Sequence, residues 1–127
     1  LNLTQPFLGI CLGLQLMCDH SEENNTPCLG VFDNAIKKFP PKDKVPHMGW
    51  NTITELGNGL FKGIESGSYV YFVHSYYAEI RDDMISQTEY ILPFASALQK
   101  DNYYAVQFHP EKSGKIGAQI LRNFLNL

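Results

Sequence analysis

The pentapeptide Gly9-Ile10-Cys11-Leu12-Gly13 lies between two short apolar runs, residues 6–8 and residues 14–18. A cysteine flanked by glycines, between a predicted strand and a predicted helix, is typical of a nucleophile elbow. Such a turn strains its central residue and brings neighbouring backbone close together, so the flanking positions must be small. Because the thiol would lie at a helix N-terminus, we expect its pKa to fall below the free value of about 8.5. The alternative is an unreactive cysteine in a core helix, since free cysteines are often buried.

Composition limits the class of protein. The chain has 127 residues, of which 44% are hydrophobic and 18% charged, enough apolar material for one globular domain over residues 1–127. A net charge of −3 argues against a nucleic-acid partner or an anionic membrane surface. We find no apolar run long enough to cross a bilayer and no signal peptide. Three irregularly spaced cysteines indicate a reducing compartment rather than a disulfide framework, so we predict a cytoplasmic protein.

Periodicity predicts an α/β fold. We expect a mostly buried helix over residues 12–20, a bent strand over 69–80 that turns near His74-Ser75, and a C-terminal helix over 115–125 with Ser113 as its N-cap. The apolar stripe of that last helix is predicted to comprise Ile116, Ile120, Leu121, Phe124 and Leu125. Further strands are predicted within 28–39 and at 52–54, 87–91, 94–98 and 103–108, with loops or turns at 21–27, 40–46, 57–59, 81–83 and 100–102.

The N-terminal end of the sequence is unusual. Residues 1–5 contain no initiator methionine and lead within a few residues into the strand before Cys11. In α/β folds such a strand is central and buried on both faces. We therefore expect a fragment that lacks neighbouring strands, and we expect it to self-associate through the exposed strand edge.

A thiol nucleophile needs a base, and the base needs an orienting group. His109 ends a predicted strand and is followed by Pro110-Glu111. In an extended chain, residues two apart point to the same side, so Glu111 can hold the imidazole. Proline restricts the backbone between them. We therefore predict a Cys11–His109–Glu111 catalytic triad, against the alternative of a surface turn.

The other histidines fit the role of base less well. His20 is nine residues along the same predicted helix, about 13 Å from Cys11. His47 has no carboxylate close by in sequence, and His74 lies inside a strand. A zinc site would need paired cysteine or histidine spacings that the chain lacks, so we predict no metal.

Two further side chains are candidates for a site. Gln15 lies one helical turn after Cys11, which predicts an amide that points toward the thiol; a solvent-facing glutamine is the alternative. Trp50, the only tryptophan, lies at a strand entrance and is either core or an anchor for a partner.

These motifs resemble those of a known family. Residues 9–15 together with residues 108–111 are similar to the class I (triad) glutamine amidotransferases. Residues 46–51, 71–77 and 107–114 resemble, within that family, the glutaminase subunits of imidazole glycerol phosphate synthase in histidine biosynthesis. The resemblance extends over essentially the whole chain.

The resemblance implies a three-layer α/β/α, flavodoxin-like fold of which this chain is the N-terminally incomplete, C-terminal portion. It also implies hydrolysis of L-glutamine to glutamate and ammonia through a γ-glutamyl thioester on Cys11, without a cofactor. His109 would accept the thiol proton and pass it to the departing ammonia, while Glu111 orients it.

Further roles follow from matching positions in the family. The substrate glutamine would be held by Gln15, Ser75 and Tyr76. Ammonia would pass to a (β/α)₈-barrel cyclase subunit in a heterodimer, and the positions at or near that interface are Trp50, Asn51, Tyr71 and Lys112.

One departure from the family leaves alternatives open. The family's Gly-rich loop, which supplies an oxyanion-hole N–H from upstream of the nucleophile strand, has no match before Cys11. We therefore expect this chain alone to be a poor glutaminase. The alternatives are a glutaminase domain of another amidotransferase and a catalytically weak chain that only binds a partner.

Overall fold

The computed structural model describes residues 5–23, 26–57 and 59–127. Parts of the predicted N-terminal run, of the loop 21–27 and of the turn 57–59 lie outside these residues. The described strands are β1 (Phe7–Ile10), β2 (His20–Ser21), β3 (Thr26–Pro27), β4 (Ala35–Lys38), β5 (His47–Ile53), β6 (Ser68–His74), β7 (Tyr76–Ala78), β8 (Met84–Tyr90), β9 (Leu92–Lys100) and β10 (Tyr103–Val106). The helices are α1 (Leu12–Met17) and α2 (Gly114–Leu125), with 3₁₀ turns at Gly59–Phe61 and Pro110–Lys112.

The strands form two sheets. The larger has the order β1-β10-β9-β7-β4-β2-β3, with β8 also paired to β9, and the smaller consists of the antiparallel pair β5–β6. A bridge between Thr54 and Gln87 joins the end of β5 to β8. In the larger sheet, β1 and β10 are parallel neighbours, with Ile10 opposite Val106. Both strands therefore end at the same edge of the sheet.

Strand β10 is buried throughout and separates two core clusters. Tyr103 and Ala105 belong to the cluster that contains the α1 residue Leu14, whereas Tyr104 and Val106 belong to the cluster that contains the α2 residue Ile120. Because alternate side chains of a strand point to opposite faces, the two helices cover opposite faces of the sheet. The predicted three-layer α/β/α arrangement is confirmed.

Several local predictions are confirmed and two are wrong. The strand 69–80 is divided at Ser75 into β6 and β7, and residues 101–102 form the turn between β9 and β10. The helix after Cys11 ends at Met17, three residues earlier than predicted, and Leu12 and Leu16 on its outer face are exposed. From the sequence we expected a helix that is buried on most sides. Only one side of α1 packs on the sheet, so apolar residues four apart can lie together on the side that faces solvent.

The strand before Cys11 is not central in the described residues. β1 pairs only with β10, and Phe7 is 42% exposed. Within the described residues, the second edge of β1 has no paired strand, which agrees with the expected exposed edge. The self-association expected from that edge stays a prediction.

Helix α2 begins at Gly114 with Ser113 as its N-cap residue, but the Ser113 hydroxyl makes no capping bond to the helix. The helix buries Gly117, Ile120 and Asn123, whereas Leu125 is 79% exposed and does not belong to the buried stripe. A Cβ atom on Gly117 would lie 1.9 Å from the Pro110 carbonyl oxygen. Glycine thus lets α2 press directly against the turn that carries His109. Neither described helix is both long and apolar enough to span a bilayer.

Candidate active site

Cys11 occupies a strained turn between β1 and α1. Its backbone has φ 53° and ψ −104°, a left-handed conformation that costs a non-glycine residue about 1–3 kcal/mol. Its N–H donates to the carbonyl of Val106 at 2.8 Å, which holds the turn against β10. A Cβ on Gly9 would lie 2.6 Å from the Met17 sulfur, whereas one on Gly13 would meet nothing within 4 Å. The predicted need for a small residue is therefore confirmed at position 9 and wrong at position 13.

His109 and Glu111 follow the end of β10, beside the end of β1. The Nδ1 atom of His109 lies 2.9 Å from Glu111 Oε2, so the predicted contact is present, but it is made from a 3₁₀ turn and not from an extended chain. The imidazole is mostly buried and the carboxylate half exposed. The structure thus places the predicted base and its orienting group at the sheet edge from which Cys11 also emerges.

Strand β6 connects the two halves of this site. The backbone N–H of His109 donates to the Tyr71 carbonyl at 2.9 Å, and the Cys11 thiol donates to the Val73 carbonyl at 3.7 Å. Tyr71 and Val73 are two apart, so their carbonyls lie on the same edge of the strand. Among the described contacts, the thiol therefore bonds to Val73 rather than to the His109 imidazole. Catalytic hydrogen bonds often form only when substrate is bound.

Besides the Val73 carbonyl, the Cys11 thiol contacts the side chain of Gln107, which we did not single out in the sequence. Gln107 is fully buried, and its Nε2 atom lies 3.6 Å from Cys11 Sγ. Its Oε1 accepts from Gln15 Nε2 at 3.3 Å, and the same Gln15 nitrogen donates to the Tyr76 carbonyl at 3.3 Å. Gln15 therefore reaches the thiol through Gln107 rather than directly. One polar residue within the otherwise apolar run 103–108 was the signal that could have identified it.

Burial raises the pKa of the Cys11 thiol. The backbone N–H of Leu12 and the Gln107 amide oppose this effect, but they do not outweigh it. The expected depression of this pKa is therefore wrong for the structure as described. The helix-dipole argument overestimated α1, which has only six residues. Burial also raises the pKa of Cys18, which lies in the core.

A cleft of about 240 Å³ opens beside the thiol. Pockets for drug-sized ligands usually measure about 300–1,000 Å³, so this cleft suits a small metabolite. Its lining includes the predicted substrate residues Gln15, Ser75 and Tyr76 together with Cys11, and also Leu12, Glu23, Val73 and His74. We did not single out Glu23 in the sequence.

His47 and His74 form a buried pair behind the cleft. His74 Nδ1 must donate to the Tyr76 carbonyl at 2.7 Å, because a carbonyl oxygen can only accept. His74 Nε2 then accepts from His47 Nδ1 at 3.0 Å, and His47 Nε2 accepts from Asn51 Nδ2 at 3.2 Å. Burial lowers the pKa of His47 to about 4 and that of His74 to about 3, so both are neutral at pH 7. A hydrogen-bonded chain thus runs from Asn51 to the Tyr76 carbonyl.

The outer face of the small sheet is apolar and exposed. Trp50 is 55% exposed and lies edge-to-face against Tyr71, with ring centroids 5.9 Å apart. Met48 and Tyr69 are exposed on the same face. Asn51 points to the opposite side, where its amide is occupied by His47, the Glu89 carbonyl and the Thr52 N–H. Lys112 is exposed in the 3₁₀ turn that begins directly after His109.

The fold agrees with what is found among known proteins. The family model for class I glutamine amidotransferases matches residues 1–127, and the chain belongs to that family. The chain is 58% identical to the imidazole glycerol phosphate synthase subunit HisH of Bacteroides fragilis, over 99% of this chain and 66% of that protein. It is 51% identical to the HisH subunit of Escherichia coli K12, over 98% of this chain and 65% of that protein. The chain thus spans just under two thirds of these relatives.

Solved structures support the same fold. A glutamine amidotransferase of Thermotoga maritima matches with a TM-score of 0.63 and 17% identity, over 95% of this chain and 47% of that one. A Thermoplasma acidophilum protein described as part of a GMP synthase matches with a TM-score of 0.68 and 24% identity, over 95% of this chain and 56% of that one. At these identities the likeness establishes the fold alone.

The buried histidine pair predicts a dependence of stability on pH. Each pKa is depressed in the folded state, so between the folded value and about 6.5 the unfolded chain binds more protons. The free energy of unfolding should therefore fall as pH decreases from about 6.5 toward 4, and each histidine adds a slope of up to about 1.4 kcal/mol per pH unit. Urea denaturation of the parent chain and His47→Gln between pH 4.5 and 7 measures this. The variant should have the shallower slope, and equal slopes would contradict the assignment.

Proposed function

We propose that this chain carries the glutamine-hydrolysing site of an imidazole glycerol phosphate synthase. The observation that supports the proposal is that Cys11, in a strained turn beside a small cleft, and the His109–Glu111 pair follow the ends of two paired parallel strands. The identities of 51–58% with HisH subunits favour this synthase over other amidotransferases. The cytoplasmic location predicted from the cysteines is part of the proposal.

In the proposed reaction, the Cys11 sulfur attacks the side-chain amide carbon of glutamine while His109 accepts the thiol proton. Glu111 holds the imidazole and stabilises its protonated form. The tetrahedral intermediate expels ammonia as its C–N bond breaks and His109 returns the proton to the leaving nitrogen. Water activated by His109 then hydrolyses the thioester to release glutamate and the free thiol. The thiol must first turn from the Val73 carbonyl toward His109.

The lining of the cleft suits an amino-acid substrate. Glu23 supplies a carboxylate, which would attract the α-ammonium group of glutamine. His47 and His74, whose hydrogen-bonded chain ends at the Tyr76 carbonyl, are both neutral. The nitrogen of the Gln15 amide is occupied by Gln107 and Tyr76, which leaves its oxygen as an acceptor for a substrate N–H. The cleft therefore suits a substrate that carries an ammonium group and a side-chain amide.

A glutamine analogue with a chloroketone in place of its amide should alkylate Cys11 before the other two cysteines. An analogue bound in the cleft would have its reactive carbon beside Cys11, whereas Cys18 is buried and its pKa is raised. Peptide mapping by mass spectrometry gives the site, and added glutamine should slow the labelling. Iodoacetamide, which lacks the amino-acid portion, is the control and should show a weaker preference for Cys11 over Cys28. Equal labelling of Cys18 or Cys28 by the analogue would reject the proposed nucleophile.

We also propose that the cyclase subunit binds the exposed face formed by Met48, Trp50, Tyr69 and Tyr71, with Lys112 at its margin. Large exposed aromatic residues are typical anchors of protein interfaces. Asn51 would act from behind this face, since its amide begins the chain of hydrogen bonds that reaches Tyr76 at the cleft. A partner that shifts β5 could thereby change the position of the Tyr76 carbonyl. Ammonia formed at Cys11 would pass to that partner.

Alanine variants test this surface. Trp50→Ala and Tyr69→Ala should each weaken binding to the cyclase, with at least about a tenfold loss for Trp50, because buried aromatic anchors commonly contribute more than 1.4 kcal/mol. Leu125→Ala is the control, since Leu125 is also a large apolar residue and is more exposed than either, but it lies at the end of α2. Isothermal titration calorimetry measures the affinities. Unchanged affinity in both aromatic variants, or equal weakening in the control, would exclude this face.

A further inference from the structure

Gln107 combines complete burial with contacts to two residues of the proposed site. Its backbone N–H donates to the Ser96 carbonyl at 2.8 Å, which fixes the residue to β9. Its side chain then lies between Cys11 and Gln15, with the nitrogen toward the sulfur and the oxygen toward the Gln15 amide. A buried polar side chain in this position needs both contacts to be satisfied.

The orientation of the Gln107 amide follows from an atom whose role is unambiguous. The Tyr76 carbonyl can only accept, so Gln15 must point its Nε2 toward it. The same nitrogen faces Gln107, which must therefore present its oxygen to Gln15. The Gln107 nitrogen is then directed to Cys11 Sγ. Rotating either amide by 180° would oppose two donors or two acceptors.

We propose that Gln107 is a catalytic residue whose amide N–H donates to the Cys11 sulfur and stabilises the thiolate. The inference rests on the proposed role of Cys11 as nucleophile. A hydrogen bond to a charged acceptor is stronger than one to a neutral acceptor, so this donor favours the thiolate over the thiol. It compensates part of the burial that otherwise raises the thiol pKa.

The other charged and titratable groups around the thiol are known. Glu111 raises the thiol pKa and Lys112 lowers it, both from the 3₁₀ turn after His109. Glu23 and His74 line the cleft on its other sides. None of them is altered by substitution of Gln107, so a change in the thiol titration would report the amide itself.

Three variants separate the roles of the amide. Gln107→Glu keeps an acceptor for Gln15 but loses the donor and adds a negative charge. Gln107→Met keeps the approximate side-chain volume, adds no charge and removes both polar groups of the amide. If Gln107→Glu does not fold, the thiol pKa is measured in Gln107→Met alone. Gln119→Glu, on α2 beside Arg122, introduces the same chemical change away from the cleft. Circular dichroism checks that each variant is folded.

The rate of Cys11 alkylation by iodoacetamide, measured against pH and resolved by peptide mapping, gives the thiol pKa without requiring turnover. We expect this pKa to rise by about one to two units in Gln107→Met, more in Gln107→Glu, and to be unchanged in Gln119→Glu. The limiting rate at high pH should change little. Parent-like pKa values in the Met and Glu variants would overturn the inference.

The glutamine analogue distinguishes this failure from failure of the proposed function. If the analogue labels Cys11 with glutamine protection while the Gln107 variants keep the parent pKa, only the role of Gln107 is rejected. If the analogue does not select Cys11 in the parent chain, the nucleophile assignment itself fails and the inference falls with it.

Discussion

The candidate site depends on the hydrogen bonds at one edge of β6. Backbone groups at a strand edge must find partners, and here they find them in the residues proposed for catalysis. The Tyr71 carbonyl accepts a hydrogen bond from the His109 N–H, and the Tyr71 N–H donates to the Ser113 hydroxyl. The Val73 carbonyl accepts from the Cys11 thiol. The same Ser113 hydroxyl donates to the His109 carbonyl at 2.6 Å. One edge of β6 thus bonds to both Cys11 and His109, at the ends of the paired strands β1 and β10.

The two faces of the small sheet differ in character. The outer face presents Trp50 and Tyr69 to solvent, whereas the inner face contains the neutral His47–His74 pair. The histidine pair is stacked among aromatic rings, with His47 4.1 Å from Tyr90 between centroids. A buried and fully hydrogen-bonded polar chain has few alternative arrangements, so displacement at one end is transmitted to the other. Under the proposed function, this is the physical route between a bound cyclase and the cleft.

Sequence was sufficient where the relevant spacing is local. The strained turn at Cys11 and the contact of His109 with Glu111 depend on residues within a few positions of each other, and both were predicted, although the contact is made from a 3₁₀ turn and not from an extended chain. Gln107 meets Gln15 across 92 positions and His47 meets His74 across 27, so neither contact could be identified without the strand pairing. The thiol pKa was predicted in the wrong direction because burial depends on the packing of the whole chain. The length of α1 was overestimated because a run of apolar residues indicates a helix but does not show at which residue the helix ends.

The proposed thioester gives the most direct test of the nucleophile assignment. The chain, mixed with the cyclase and its ligand, would be given isotopically labelled glutamine and quenched in acid within the first turnover. Mass spectrometry of its peptides should find a labelled γ-glutamyl group on Cys11, and His109→Asn should prevent its formation. A γ-glutamyl group on another residue, or glutamate production that persists in Cys11→Ser at the parent rate, would contradict the account.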